Sequence, residues 1–162
     1  MTVARDLEHN TIPLSSNKIY LDVCALSRPF DDQTQMRIRL ETDAIQLILG
    51  NVRSGRLVLM MSPAHDIEIH AISDLAEREQ IMAMLKEIGQ PISFDAKQTR
   101  QRAEHLVAQG LGTADAAHVA FAEQAKADLV TCDDRLIRRY QRARPLIWCG
   151  TPIAFCDKEN LT

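Results

Sequence analysis

Four acids in this 162-residue chain stand at or near the ends of expected strands and helices, where their carboxylates could converge. Asp22 ends the apolar run Ile19-Tyr20-Leu21, and a charge at the end of a buried strand must be paired, hydrogen-bonded or metal-bound. Asp133 follows a second such run, Leu129-Val130-Thr131. Asp115 lies in the first turn of an alanine-rich segment, and Glu68 comes a few residues after a third apolar run. No basic residue is an obvious sequence-local partner for Asp22 or Asp115. Carboxylates crowded into one site cannot all ionise without a cation. Hard oxygen donors suit Mg2+ or Mn2+, which bind through a few carboxylates plus water and substrate phosphate. Such ions activate water and hold the attacking and leaving oxygens of a phosphoryl displacement. Taken singly, each acid has a plainer role. Asp115 and Asp133 would serve as helix caps, and Glu68 as a solvated helix residue.

Convergence depends on the elements that carry these acids. Residues 18–22 read as a first strand, followed by a turn around Arg28-Pro29-Phe30-Asp31-Asp32. From 33 to 53, Met36, Leu40, Ala44, Leu47 and Ile48 recur at helical spacing, with Gly55 just past the end. Residues 57–61 form the second strand, and Ser62-Pro63 opens a helix with a serine cap and proline in the first turn. A further helix starts at Ser73-Asp74 and is closed by Gly89. A weaker third strand is expected over 91–94, then a helix capped by Asp95 that runs to Gly110. Thr113 begins the alanine-rich helix, 128–131 is the fourth strand, 133–143 a helix and 146–148 a fifth strand. Strands that alternate with helices and are apolar on both faces indicate an α/β fold with a parallel sheet covered on each side. In such sheets the working site lies beyond the carboxyl ends of the strands, where strand order reverses. Asp22 and Asp133 meet there if the first and fourth strands are neighbours.

Composition narrows the function classes. A net charge of −3 disfavours a nucleic-acid binder that works by charge alone, though not one whose phosphate contacts run through metal and a local basic patch. Aromatic residues, at 4 %, are too few for single-strand recognition by stacking. No run approaches eighteen apolar residues, so no membrane span is expected. The start of the chain has neither the basic beginning nor the apolar stretch of a secretory signal, which leads to a cytoplasmic expectation. Residues 1–17 read as a loosely ordered extension, 18–156 as a single domain and 157–162 as a tail. Cys24, Cys132, Cys149 and Cys156 have no zinc-ligand spacing and read as small core hydrophobes.

Three segments resemble the PIN-domain family. Ile19-Tyr20-Leu21-Asp22 with Ala25-Leu26 resembles its opening strand and short helix. Gly112-Thr113-Ala114-Asp115-Ala116-Ala117-His118-Val119-Ala120 is similar to its central D-A-x-H-x-A helix. Ala127-Asp128-Leu129-Val130-Thr131-Cys132-Asp133 is similar to its A-D-x-L-V-T-x-D strand. Ser62 with Glu68 is similar to the segment that supplies the family's glutamate. The segments run in the family's order from about residue 18 to 148.

The resemblance implies a three-layer α/β/α sandwich around a mostly parallel sheet of about five strands. It also implies Mg2+- or Mn2+-dependent endoribonuclease activity, with Asp22, Glu68, Asp115 and Asp133 as the catalytic acids and Asp22, Asp115 and Asp133 as the core metal ligands. Small bacterial members of the VapC kind are toxins held by a small antitoxin protein and often dimeric, so RNA, an antitoxin and a second copy are the implied partners. Two features depart from the family pattern. Cys24 stands where many members carry Asn or Ser, and Asp66 or Glu41 is a conceivable substitute for Glu68.

Beyond the acids, Arg135, Arg138, Arg139 and Arg142 recur at helical spacing and form one face, suited to RNA phosphate or to a protein partner. His118, one turn after Asp115, is assigned a supporting role because magnesium prefers oxygen. Arg28, Asp31 and Asp32 shape a loop over the cleft, and Phe30 and Trp148 belong to the core. A rival reading is a PIN-fold binding module with weak or absent catalysis, acting through a protein partner. An aspartyl phosphatase is disfavoured because Cys24 occupies the place of its second acid.

Overall fold

The computed structural model describes residues 17–162. Apart from Asn17, whose carbonyl accepts a hydrogen bond from the Val58 amide at 2.9 Å, the expected N-terminal extension lies outside the described residues.

Five strands form one parallel sheet: β1 (Lys18–Leu21), β2 (Val58–Met61), β3 (Gly89–Pro91), β4 (Asp128–Val130) and β5 (Cys149–Gly150), in the order β3-β2-β1-β4-β5. The chain builds β1, β2 and β3 outward to one side, then crosses to place β4 against the other edge of β1. Tyr20 pairs with Leu129 and Leu21 with Val130, and the Asp22 amide donates to Val130 O at 3.2 Å. The reversal of strand order therefore falls between β1 and β4, as the α/β reading requires.

Both sheet faces are covered. Ile19, Leu21, Leu59 and Val130 join one core with α1 (Val23–Ser27), α2 (Met36–Arg53), α3 (Pro63–His70), α4 (Leu75–Ile88) and α8 (Pro152–Lys158). Tyr20, Met60 and Leu129, one residue out of phase, join the other core with α5 (Ala96–Ala108), α6 (Thr113–Ala125) and α7 (Asp134–Arg142). Alternate strand residues thus point to opposite layers, giving the three-layer α/β/α sandwich. The small side chains of Ala116, Ala120 and Ala122, all fully buried, let α6 lie against the sheet.

The structure corrects several expected boundaries. α2 begins at Met36, because 33–35 form a turn in which the Gln35 amide donates to Asp32 O. The third strand is Gly89–Pro91 rather than 91–94, and Phe94 is exposed. Its register follows from how α4 ends. A Cβ at Gly89 would sit 2.6 Å from Leu85 O, so only glycine lets the chain turn directly from helix into strand. Pro91 is tolerated because β3 is an edge strand. Gly89→Ala is accordingly expected to cost about 1–3 kcal/mol, read as a fall in Tm by thermal denaturation.

The fifth strand is Cys149–Gly150 rather than 146–148, and Leu146 is 72 % exposed. The Leu146 and Ile147 amides instead donate to the Tyr140 hydroxyl, at 3.0 and 3.4 Å, which draws that segment away from the ladder. A helix absent from the sequence reading follows: Thr151 caps α8 by accepting the Ala154 amide at 3.1 Å, with Pro152 in the first turn. The helix continues past residue 156, and Leu161 still lies in the first core. Phe30, expected inside, is 40 % exposed, whereas Trp148 packs against Phe155. Of the cysteines, Cys132 is buried, Cys149 and Cys156 are half-buried and Cys24 is exposed, so the core reading fails for Cys24.

Candidate metal centre

Asp22 sits just past β1 as the N-cap of α1, with its residue only 5 % exposed. Oδ1 accepts the Ala25 amide at 3.0 Å and the Cys24 thiol at 2.9 Å. Burial drives its pKa above the usual carboxylate value, and the donors from Cys24, Thr131 and Ala25 only partly offset this. Cys24 therefore hydrogen-bonds the acid it follows, in a way not expected of a thiol at that position. Its Sγ also lies 3.3 Å from Thr131 Oγ1. Contact with Cys132, burial and the Asp22 charge all raise the Cys24 pKa and keep the group a thiol.

Asp133 is reached through Thr131, whose Oγ1 accepts the Asp133 amide at 3.0 Å. Its Oδ1 caps α7, accepting the Arg135 amide at 2.8 Å and the Leu136 amide at 3.2 Å. The capping role weighed from sequence is thus real, but it occupies one oxygen. Asp115 is not a cap: Gly112 holds that position in α6, and the half-buried Asp115 lies in the first turn. Burial first, then Asp133, Asp22 and Glu68 in that order, push its carboxyl pKa upward, with His118 opposing them. Three acids, two at helix starts and one in a helix interior, therefore all act on Asp115. Among the described residues, no three His, Cys, Asp or Glu side chains are drawn into a ready-made ligand cage. The oxygen-only donor set of the four acids is of the kind that suits a hard divalent cation, which would offset the repulsion felt at Asp115.

The structure separates the two proposed stand-ins from Glu68. Glu41, 2 % exposed, is clamped by Arg28 Nε at 2.9 Å and Arg37 Nε at 2.6 Å, which takes both oxygens out of use. Asp66 is exposed. Glu68, on α3, is half-buried, and its Oε2 lies 3.1 Å from His118 Nε2. That proximity holds its carboxyl below the usual range despite the cost of burial. The alignment falls short of a hydrogen bond, and the buried Nε2 has no hydrogen-bond partner among the described residues.

Beneath these acids lies a polar network invisible from sequence spacing. Tyr20 OH is 2.6 Å from Ser62 Oγ and 2.5 Å from His118 Nδ1. His65 stacks on Tyr20 with ring centroids 4.5 Å apart and accepts the Ser62 amide through Nδ1 at 3.0 Å. Its Nε2 therefore carries the hydrogen and donates to Leu21 O at 2.6 Å. Burial, with His118 nearby, pushes the His65 pKa down to about 4, so the ring is neutral near pH 7. A tyrosine in an otherwise aliphatic strand, with histidines on two later helices, was the available signal.

The four arginines of α7 open onto different parts of the surface. α7 buries Leu136 and Tyr140 and exposes Arg135, Arg138, Arg139 and Arg142. Arg135 and Arg138 line a cavity of about 600 Å3 beside Asp133, together with Arg28 and Arg37. Arg142 lines a separate cavity with Arg102 and Arg144, and Arg139 lines neither. Arg28 also pairs with Asp31 at 3.0 Å, and Asp32 accepts from Thr34, within the turn that precedes α2.

Among the described residues no helix is long and apolar enough to cross a membrane. No curated protein shows significant sequence similarity to the chain. The structure is similar to the crystal structure of FitAcB from Neisseria gonorrhoeae, with a TM-score of 0.53 and 19 % identity, covering 83 % of this chain and 98 % of that one. At that identity the likeness is one of fold. The PIN-domain family model matches residues 19–142, a span that holds β1, β4 and all four acids. The chain belongs to the PIN-domain family.

Proposed function

We propose that this protein is a metal-dependent endoribonuclease and the toxin member of a toxin–antitoxin pair. The observation that carries the nuclease reading is geometric: Asp22 and Asp133 stand just past the paired carboxyl ends of β1 and β4, where strand order reverses, with the half-buried Asp115 in the first turn of α6. Asp22, Asp115 and Asp133 would hold Mg2+ or Mn2+, with Glu68 completing the acidic set. When bound, the ion supplies Lewis-acid stabilisation of phosphoryl oxygens and makes water a better nucleophile. The chain does the rest. Asp22 is fixed by the Ala25 amide and the Cys24 thiol. Asp133 is oriented by its cap on α7 and keeps one oxygen for the cleft. Arg135 and Arg138 offer guanidinium donors to phosphates flanking the one being cut. Without metal the acids repel RNA, so binding should require Mg2+ or Mn2+.

The test is cleavage of structured and unstructured RNA with Mn2+, with Mg2+ and with EDTA. Cutting that EDTA abolishes supports the reading, whereas EDTA-resistant cutting counts against it. Arg135→Ala with Arg138→Ala is expected to weaken RNA binding about tenfold or more and to flatten its dependence on salt concentration. Both are read by fluorescence anisotropy at several salt concentrations. A second reading, a binding module with little catalysis, is motivated by a thiol at position 24 where many family members carry Asn or Ser. That reading gains if no RNA is cut and calorimetry finds no metal affinity while a protein partner still binds. An antitoxin encoded beside the gene and a homodimer are the partners this proposal expects, read by co-purification and by light scattering.

A further inference from the structure

The orphaned His118 Nε2 has one function open to it. His118 is 2 % exposed, and its two ring nitrogens face different kinds of partner: Nδ1 the Tyr20 hydroxyl at 2.5 Å, Nε2 the Glu68 carboxylate at 3.1 Å. The hydrogens along Ser62, Tyr20 and His118 can be ordered in two directions. If Nδ1 carried the only ring hydrogen, it would donate to Tyr20, Tyr20 would donate to Ser62, and the Ser62 hydrogen would have no acceptor among the described residues. Nε2 would then turn a lone pair on a carboxylate oxygen 3.1 Å away, which is repulsive. In the opposite order Ser62 donates to Tyr20 and Tyr20 to His118 Nδ1, and the Nε2–H faces the Glu68 carboxylate 3.1 Å away, an electrostatic attraction in place of that repulsion rather than an aligned hydrogen bond. Ser62 Oγ still accepts the Ala64 amide, at 3.2 Å. The origin of the chain is held in turn by His65, which fixes the Ser62 amide through the reciprocal cap at the start of α3.

We propose that Tyr20 and His118 are positioning residues for Glu68, with the Ser62–Tyr20–His118 chain fixing the Nε2–H tautomer and thereby the direction of one carboxylate oxygen, leaving the other for the cation site. The inference rests on the proposed reading of the four acids as a metal centre. Polar groups behind a ligand of this kind hold its orientation before the ion arrives, and their loss lowers metal affinity by about 10- to 100-fold.

Two measurements on the full chain test it. The first is 15N–1H correlation spectroscopy of histidine-labelled protein without metal, in which His118, assigned by its absence in His118→Gln, should show the hydrogen on Nε2. In Tyr20→Phe the two tautomers should mix. The second is Mn2+ titration by calorimetry, with folding of each variant checked by circular dichroism. Tyr20→Phe and His118→Ala should weaken Mn2+ binding about tenfold or more. His118→Gln places an amide N–H near the position of Nε2–H and should bind within about threefold of the wild type, a recovery that a merely space-filling histidine would not show. Wild-type His118 protonated on Nδ1, or Mn2+ affinity unchanged in Tyr20→Phe and His118→Ala, overturns the inference while leaving the metal centre in place. Absence of Mn2+ binding in the wild type itself overturns the metal centre, and the positioning role with it. That failure is recognised by a His118 signal that still shows the Nε2–H form.

Discussion

Asp22→Asn and Asp115→Asn should each lower metal-dependent RNA cleavage by about 100-fold or more, and each should melt at a higher temperature than the metal-free wild type. Opposite signs for activity and stability distinguish a functional acid from a structural one. Both carboxyls have pKa values pushed up in the folded state, chiefly by burial, and Asp115 also by its acidic neighbours. Between the unfolded and folded pKa the native state holds more protons, so stability falls as pH rises through that window and the deficit persists above it. Asparagine removes the charge and keeps the shape. At position 22 it retains an oxygen for the Ala25 amide, so the cost of the buried anion is relieved without losing the cap. Metal should reverse the ranking. Excess Mn2+ stabilises a chain that binds it, by about 2.7 kcal/mol at 100 times Kd, so the wild type should gain in Tm while the two variants gain little. Thermal denaturation from pH 4 to 8, with and without Mn2+, checks all of this beside the cleavage assay. Variants that melt lower and still cut RNA would sink the assignment.

The largest stability effect is expected at the clamp around Glu41, away from the chemistry. Arg28→Ala should cost about 3 kcal/mol, since the buried Glu41 carboxylate then keeps only Arg37 and its Oε2 loses its charged donor. Glu41 lies near the surface but is roofed by Arg28 and Arg37, and Arg37 reaches on to Asp134 with bonds of 2.8 and 3.0 Å. The network ties the 3₁₀ turn Arg28–Phe30 and α2 to the start of α7, one residue from Asp133. Burial opposes ionisation of Glu41, but the two arginines outweigh it and hold its pKa below the usual range. Its contribution is therefore full above the unfolded value of about 4.3 and lost as pH falls through the lower folded value. Glu41→Gln should remove that acid-side dependence. In a double-mutant cycle Arg28→Ala and Glu41→Gln should be strongly non-additive, because they share one interaction. Chemical denaturation of the four proteins measures it, and additive costs would mean that the clamp contributes little.

Much of this protein is legible locally. The Asp22, Asp115 and Asp133 positions follow from apolar runs that end in acids and from an alanine-rich segment, because burial periodicity and helix propensity act over a few residues. Even the Ser62-Pro63 start of α3 and the Asp95 cap of α5 are local chemistry, and both stand as read. Boundaries set by distant atoms are not legible in this way. Ile92 and Phe94 have strand propensity, yet β3 lies earlier because Gly89 passes close under Leu85 O. Leu146 and Ile147 have it too, yet the Tyr140 hydroxyl takes their amides. Thr151-Pro152 has the cap chemistry of a helix start, yet α8 is not legible from it because its short run offers little periodicity.

The sequence by itself determined the kinds of chemistry open to the chain: carboxylates at element ends, few aromatics and no local cationic partners for the key acids. Only the tertiary structure separated the three acids weighed for the fourth position. Glu41, Asp66 and Glu68 are all carboxylates, but two arginines sequester Glu41, solvent surrounds Asp66 and a histidine from α6 meets Glu68. It also decided that Tyr20, Ser62 and His118, up to 98 positions apart, share one hydrogen-bond chain. The physical reason is range. Propensity and capping act within a turn or two of chain, whereas charge pairing and hydrogen-bond direction depend on which strands and helices the fold sets side by side.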